Sequence, residues 1–336
     1  MRYPVKRAKL YTIGTLSVVA LLFIAATDAR AALLDGVGAM GSSTTDEYQF
    51  SPLHPTARSW VEILATTHGW NFGNFTTVSR GEPRNQGYEY NWARVGATTG
   101  GLLTQGQHTG LAAQVAGGNV NLAFLWIGTN DFRNVLNAPV PPASLPPSVV
   151  PNAVANFTTA LNTVLAANPN VRMVVATTYD EAVLPYVRKR LDAGQLSQAL
   201  VDQVSLGIQD YNTQITAIAS ADHRVAVTDL FGLLEEVMAP DQFSFGGLPM
   251  DRVNSSAQSD HFYVDDLHPG TIGQGLIANA FIDTIDAQFG ADAPRLTDAE
   301  IFDVAGVVPE PSSLILLGVS TLGLLGYRSA FRKQAR

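Results

Sequence analysis

The 336-residue sequence contains no cysteine. That excludes a disulfide framework, a thiolate metal site and a cysteine nucleophile, and it is compatible with export. Charge is scarce, with 15% charged residues against 46% apolar ones, and it is unevenly placed. Nine of the 21 basic residues lie in the first 31 and last nine positions, while 28 of the 29 acidic residues lie between them. The stretch 32–327 therefore carries a net charge of −16. A body this acidic repels polyanions, which counts against nucleic acid as a partner. There is no Gly-rich phosphate loop followed by a basic residue, which counts against nucleotide binding. No internal repeat is evident. What is present is core material: 15 Phe, 10 Tyr and 4 Trp argue for a folded globular body.

The two ends read as addresses. Arg2, Lys6, Arg7 and Lys9 form a basic n-region, an apolar run follows from Leu16 to Ala26, and Ala29-Arg30-Ala31 offers a small-x-small cleavage site. This is the pattern of a secretory signal peptide over residues 1–31. An uncleaved anchor is the alternative, but the run is shorter than the ~20 residues a bilayer span needs. At the other end, Val308-Pro309-Glu310-Pro311 precedes an apolar run from Leu314 to Tyr327 and a basic tail from Arg328 to Arg336. Proline interrupts any helix running back into the body, and the basic tail should stay cytoplasmic. This tripartite end (308–336) resembles the PEP-CTERM sorting signal of Gram-negative bacteria. The resemblance implies export across the inner membrane, transient membrane association through residues 314–327, and processing by an exosortase as a partner. The protein would finish at the cell surface or outside the cell. A plain C-terminal anchor is the competing reading.

Between the ends, residues 32–290 alternate strand-like and helix-like stretches, and 291–307 reads as a polar linker with some helical character. Val120–Ile127, Val171–Thr178 and Val225–Thr228 are apolar runs suited to buried parallel strands, and the run into Met40 is a weaker first. Helix-like stretches are Thr56–Thr67, Leu102–Ala116, Asn152–Ala167, Leu196–Ser220 and Thr271–Phe289. The alternation predicts one α/β domain with helices on both faces of a parallel sheet. Sites in such sheets form beyond the carboxyl ends of the strands. Residues 132–151 hold six prolines, which argue against regular helix there; the stretch reads as a rigid surface connector or, functionally, as a wall or lid of a cleft.

Four polar clusters could carry chemistry, and each also has a plain structural reading. Gly41-Ser42-Ser43-Thr44-Thr45-Asp46 lies where a strand should turn into a helix. Ser43 there is either a nucleophile facing helix amides or an N-cap, and Asp46 and Glu47 read as helix-N-terminal charges. Asn91-Trp92-Ala93-Arg94-Val95-Gly96 ends on a glycine that either admits a substrate oxygen to its amide or makes a turn. Gly128-Thr129-Asn130-Asp131 closes a strand, so Asn130 is an oxyanion donor or a turn residue. Asp265-Asp266-Leu267-His268 lets a carboxylate and an imidazole share one turn, or places His268 as a cap on the helix beyond Gly270. Asp260, His261, Asp265 and Asp266 also lie close together in sequence, but their spacing matches no metal motif.

The order and separation of these clusters resemble the SGNH (GDSL-type) hydrolases over nearly the whole predicted domain. The resemblance implies a flavodoxin-like three-layer α/β/α sandwich and a metal-independent ester hydrolase that needs no cofactor. It assigns Ser43 as nucleophile, His268 as general base and acid, and Asp265 as its orienting carboxylate. Ser43, Gly96 and Asn130 would form the oxyanion hole. The implied substrates are carboxylic esters, either lipid or aryl esters or an O-acetylated polysaccharide. One position departs from the family: Ser42 stands where an aspartate usually precedes the nucleophile, which makes Ser42 the competing nucleophile although the motif's spacing favours Ser43. The alternative reading is a catalytically inactive extracellular matrix or surface protein on a hydrolase scaffold. Phe243, Phe245, Gly246, Gly247 and Met250 are expected to shape the pocket.

Overall fold

The computed structural model describes residues 33–50, 56–81, 86–239 and 242–307. The elements along the chain are β1 (Val37–Gly41), α1 (Trp60–Thr67), β2 (Phe75–Thr76), β3 (Gly87–Tyr88), α2 (Thr99–Thr104), α3 (Gln107–Ala116), β4 (Leu122–Trp126), α4 (Thr129–Leu136) and α5 (Val149–Ala167). They continue with β5 (Arg172–Ala176), α6 (Pro185–Asp192), α7 (Gln198–Ala219), β6 (Val225–Thr228), α8 (Leu230–Met238), β7 (Phe243–Phe245), β8 (Leu248–Ser255), β9 (His261–Tyr263), α9 (Thr271–Phe289) and α10 (Asp298–Val304).

Four strands pair in parallel in the order β1-β4-β5-β6. Successive residues of a strand face opposite sides of a sheet, and the burial follows that period. Leu122, Phe124 and Trp126 of β4 enter one apolar cluster with α1 and α9. Ala123, Leu125 and the following Ile127 enter a second cluster with α3, α5 and α7. Each strand is thus apolar on both faces, and helices cover both sides of the sheet. This is the three-layer α/β/α sandwich expected from the alternation.

The free edge of β1 is finished by a near-strand. Ala39 N–H donates to the Tyr90 carbonyl (2.9 Å), Trp92 N–H to the Ala39 carbonyl (2.7 Å), and Arg94 N–H to the Gly41 carbonyl (3.2 Å). Only Ala39 and Asn91 make a formal bridge, yet the pairing carries the chain from Tyr90 to Arg94 alongside β1. It delivers Gly96 beside the carboxyl end of that strand.

Several expectations need correction. The stretch Leu102–Ala116 is not one helix, because Gly106 adopts φ 68° and separates α2 from α3. The segment 132–151 is helical at both ends, since α4 runs to Leu136 and α5 starts at Val149. Five of its prolines lie in the loop between them. Pro151 sits in the first turn of α5, where a missing N–H costs no helical bond. The loop is pinned to α7, with Leu145 N–H donating to the Gln203 side chain (3.0 Å).

Residues 291–307 are not a free linker. Ala291, Ala293, Leu296, Ile301 and Phe302 are buried against the domain. Ile301 and Phe302 belong to α10, which carries a Thr297–Glu300 capping box. Val304, Ala305 and Val307 also pack against the core, so a polar-looking stretch still supplies a packing face.

Phe245 and Met250 join the core rather than lining a pocket, Phe245 lying 5.2 Å from the Phe302 ring. Gly246 and Gly247 make the two-residue turn between β7 and β8, with φ 53° and 82°. Positive φ at both central positions matches the twist of a tight hairpin, and glycine allows it without strain.

The signal peptide expected at 1–31 and the sorting segment expected at 308–336 lie outside the described residues. Among the described residues, no helix is long and apolar enough to cross a membrane.

Candidate active site

The site grows from the end of β1. Gly41 N–H donates to the Gln107 side chain (3.0 Å), which fixes the last residue of the strand. The chain then reverses at once, with the N–H groups of Thr45 and Asp46 both reaching the Ser42 carbonyl at 3.1 Å. The expected strand-to-helix junction is instead this tight turn, followed by a short 3-10 helix at Tyr48–Phe50. Ser43 is therefore not an N-cap.

Opposite it stands the loop between β9 and α9. Asp265 Oδ1 accepts from the backbone N–H of Leu267 (2.8 Å) and His268 (2.7 Å), so the carboxylate shapes its own loop. Asp265 Oδ2 lies 2.8 Å from His268 Nδ1, and His268 Nε2 lies 2.8 Å from Ser43 Oγ. The cap of α9 is Gly270, so the His268 side chain is not spent on capping that helix. Burial pushes the Asp265 carboxyl up, but the hydrogen bond and charge of His268 and the two backbone N–H groups outweigh it and hold it at about 2. An ionised Asp265 keeps a proton on Nδ1 and leaves the Nε2 lone pair for the serine hydroxyl.

The remaining two clusters arrive at the same edge through hydrogen bonds. Val95 N–H donates to Asp46 Oδ2 (3.0 Å), tying the Gly96 turn to the Ser43 turn. Asn130 Nδ2 donates to the Ala97 carbonyl (3.0 Å), tying α4 to the same turn. Gly96 has φ 75°, which suits glycine. Among the described residues, the backbone N–H groups of Ser43 and Gly96 have no acceptor, and Asn130 Nδ2 uses one of its two hydrogens. All five residues singled out in the sequence are thus brought to one edge of the sheet.

Residues 37–281 match the family described as GDSL-like Lipase/Acylhydrolase. The chain belongs to that family. It is an ester hydrolase by that membership. Residues 307–333 separately match the PEP-CTERM protein-sorting motif.

Solved structures with similar architecture include a carbohydrate esterase family 3 from Talaromyces cellulolyticus, 16% identical, covering 76% of this chain and 98% of its own, with a TM-score of 0.41. A catalytic mutant of an acetylxylan esterase from Geobacillus stearothermophilus is 15% identical, covering 75% and 94%, with a TM-score of 0.43. A lipase from a goat rumen metagenome is 14% identical, covering 78% and 99%, with a TM-score of 0.44. No curated protein sequence matches the chain.

In this GDSL-like hydrolase the unusual Ser42 does not leave the turn open. Its carbonyl receives both turn-closing N–H groups, while Asp46 braces the turn from behind. Asp46 and Glu47 are not helix-end charges as expected. Burial pushes the Asp46 carboxyl above its usual range, with the Arg94 charge pulling the other way. Glu47 Oε1 accepts the Tyr88 N–H (2.7 Å) and joins β3 to the turn.

Three supporting residues are not among those singled out from the sequence. Glu62 caps α1 through Ser59 and also takes the Tyr48 N–H (2.8 Å), and burial raises its carboxyl. Tyr48 meets His268 edge-on with ring centres 6.0 Å apart. Gln274 Nε2 donates to the Tyr48 hydroxyl (2.7 Å). The partners of Tyr48 and Gln274 lie far away in sequence, so no local pattern marks them, whereas Glu62 carries the local Ser59-x-x-Glu62 capping-box pattern.

His261 Nδ1 contacts Asp260 (2.7 Å), and its Nε2 lies 3.8 Å from Asp251. Among the described residues no group of three or more His, Asp or Glu is placed to hold a metal ion. Asp266 faces away from His268 and binds Lys189 Nζ (2.6 Å).

Proposed function

We propose that this GDSL-like hydrolase is an exported serine esterase that works through an acyl-enzyme on Ser43. The observation that carries the reading is the continuous contact from Asp265 through His268 to Ser43 Oγ, with 2.8 Å at each junction. Ser43 Oγ attacks the ester carbonyl while its proton passes to His268 Nε2. The carbonyl oxygen becomes an oxyanion facing the N–H groups of Ser43, Gly96 and Asn130. His268 then returns the proton to the leaving alcohol, and the acyl group stays on Ser43. A water molecule loses a proton to His268, attacks the acyl carbon and releases the acid, and His268 re-protonates Ser43. Asp265 holds the ring and stabilises the imidazolium in both halves.

Export rests on the secretory pattern of residues 1–31 and on the PEP-CTERM match at 307–333. An exosortase is the partner that would process the C-terminus, with residues 314–327 in the membrane during that step. The destination is the surface or exterior of a Gram-negative cell. There, the proposed substrate classes are an O-acetylated polysaccharide and lipid or aryl esters.

The test is Ser43→Ala in the body of the protein, assayed on a short-chain aryl ester and on acetylated polysaccharides of several kinds. The variant should melt like the parent and lose turnover on every substrate. Retained turnover would sink the nucleophile assignment. A parent protein inert on all esters would favour the inactive surface-protein reading instead.

A further inference from the structure

Beneath Asn130 lies a buried ion pair that the mechanism above does not use. Arg133 is 5% exposed and Glu181 is fully buried. The guanidinium grips the carboxylate with two bonds, Nε to Oε2 at 3.1 Å and Nη2 to Oε1 at 2.8 Å. Glu181 opens a 3-10 helix whose start is fixed by the Asp180 side chain, which takes the Ala182 N–H (2.9 Å). Arg133 Nη2 also reaches the Tyr179 hydroxyl at 3.4 Å. Three residues along α4 from Asn130, Arg133 lies on the same helix face, and its Nη1 donates to Asn130 Oδ1 at 3.4 Å.

The chemistry of the two contacts fixes the Asn130 amide. A guanidinium only donates, so the atom facing it must be the amide oxygen. The Ala97 carbonyl only accepts, so the atom facing it must be the amide nitrogen. Both contacts demand the same orientation, and a flipped amide would lose both. That orientation leaves the second Nδ2 hydrogen for a substrate oxygen and keeps the amide oxygen away from developing negative charge. A cation on the oxygen side also draws electron density from the amide and strengthens its N–H as a donor.

We propose that Arg133, clamped by Glu181, is a positioning residue that locks and polarises the Asn130 amide for oxyanion binding. The proposal rests on the reading of Asn130 as an oxyanion donor. Removing only one member of the pair strands a buried charge, so the pair is best replaced together, as Arg133→Met with Glu181→Leu. Arg133→Lys is the second probe, since it keeps the charge but not the planar fork.

Each change is made in the parent and in an Asn130→Ala background, with kcat, KM and melting temperature measured on an aryl ester. Asn130→Ala should lower kcat about 10²–10³-fold. The paired replacement should lower kcat by about tenfold to a hundredfold where Asn130 is present, with KM little changed. In the Asn130→Ala background it should cost nothing further. Arg133→Lys should follow the same pattern with a smaller loss, and it serves alone should the paired variant not fold. An equal kcat loss in both backgrounds would overturn the positioning role while leaving Asn130 as a donor. An unchanged kcat in Asn130→Ala would instead overturn the oxyanion assignment itself.

Discussion

Asp265→Asn separates the roles of charge and shape at the centre of the site. The loop would survive the change. An asparagine side-chain oxygen can still accept the N–H groups of Leu267 and His268, which Asp265 Oδ1 accepts at 2.8 and 2.7 Å. Turning the amide over would set its NH2 against those two N–H groups, so the oxygen stays there. The amide nitrogen then falls where Oδ2 lies, 2.8 Å from His268 Nδ1. An NH2 group donates, so its nearer contact favours Nδ1 as the acceptor with the ring proton on Nε2, against the longer Oδ1 contact to Nδ1 at 3.0 Å. That nitrogen faces Ser43 Oγ at 2.8 Å and, once protonated, cannot take the serine proton. The imidazolium also loses its counter-charge. In a serine protease the equivalent change lowers kcat about 10⁴-fold, and a similar loss is expected here, about 5.4 kcal/mol of transition-state stabilisation. The assay is kcat on a short-chain aryl ester, with thermal melting to show that the fold persists. A folded variant within tenfold of the parent would refute the argument that Asp265 sets the tautomer.

Two further predictions concern stability. The Asp265 carboxyl is held at about 2 in the folded protein, below its unfolded value, so its contribution is complete above roughly pH 4 and is lost as pH falls through about 2. Asp265→Asn should therefore flatten the fall in unfolding free energy across that window, and equal slopes in variant and parent would contradict it. Ile301 is fully buried against Gly275 in a stretch that reads as a linker. Ile301→Ala should cost about 2–5 kcal/mol in urea unfolding if that stretch is part of the core, whereas a change near zero would restore the linker reading.

The legible parts of the fold were those where burial on both faces leaves an uninterrupted apolar run. Val225–Thr228 and Thr271–Phe289 have the boundaries expected from sequence. The helix α8 is not legible in the sequence, because Leu230–Met238 is apolar for most of its length and contains Gly232, so period and propensity point different ways. The helix α4 is hidden in the sequence by the prolines from 139 onward, although it ends before them. The same division runs through the site. Asp265 and His268 are three residues apart, so local spacing announced them. Arg133 and Glu181 are 48 residues apart and meet only through the sheet, and a lone arginine in a helix carries no sign of its partner. The sequence at Ser43 reads as the start of a helix, because Ser, Thr and Asp cap helices and close turns alike. Only the backbone bonds to the Ser42 carbonyl decide between the two.

The most direct test of the account is to treat the protein with a serine-reactive alkyl phosphonate and map the adduct by peptide mass spectrometry. One equivalent should be taken up, on Ser43, with esterase activity lost in step and with no labelling of His268→Ala on the same timescale. An adduct on Ser42, or no adduct in a protein that still hydrolyses esters, would contradict an acyl-enzyme at Ser43.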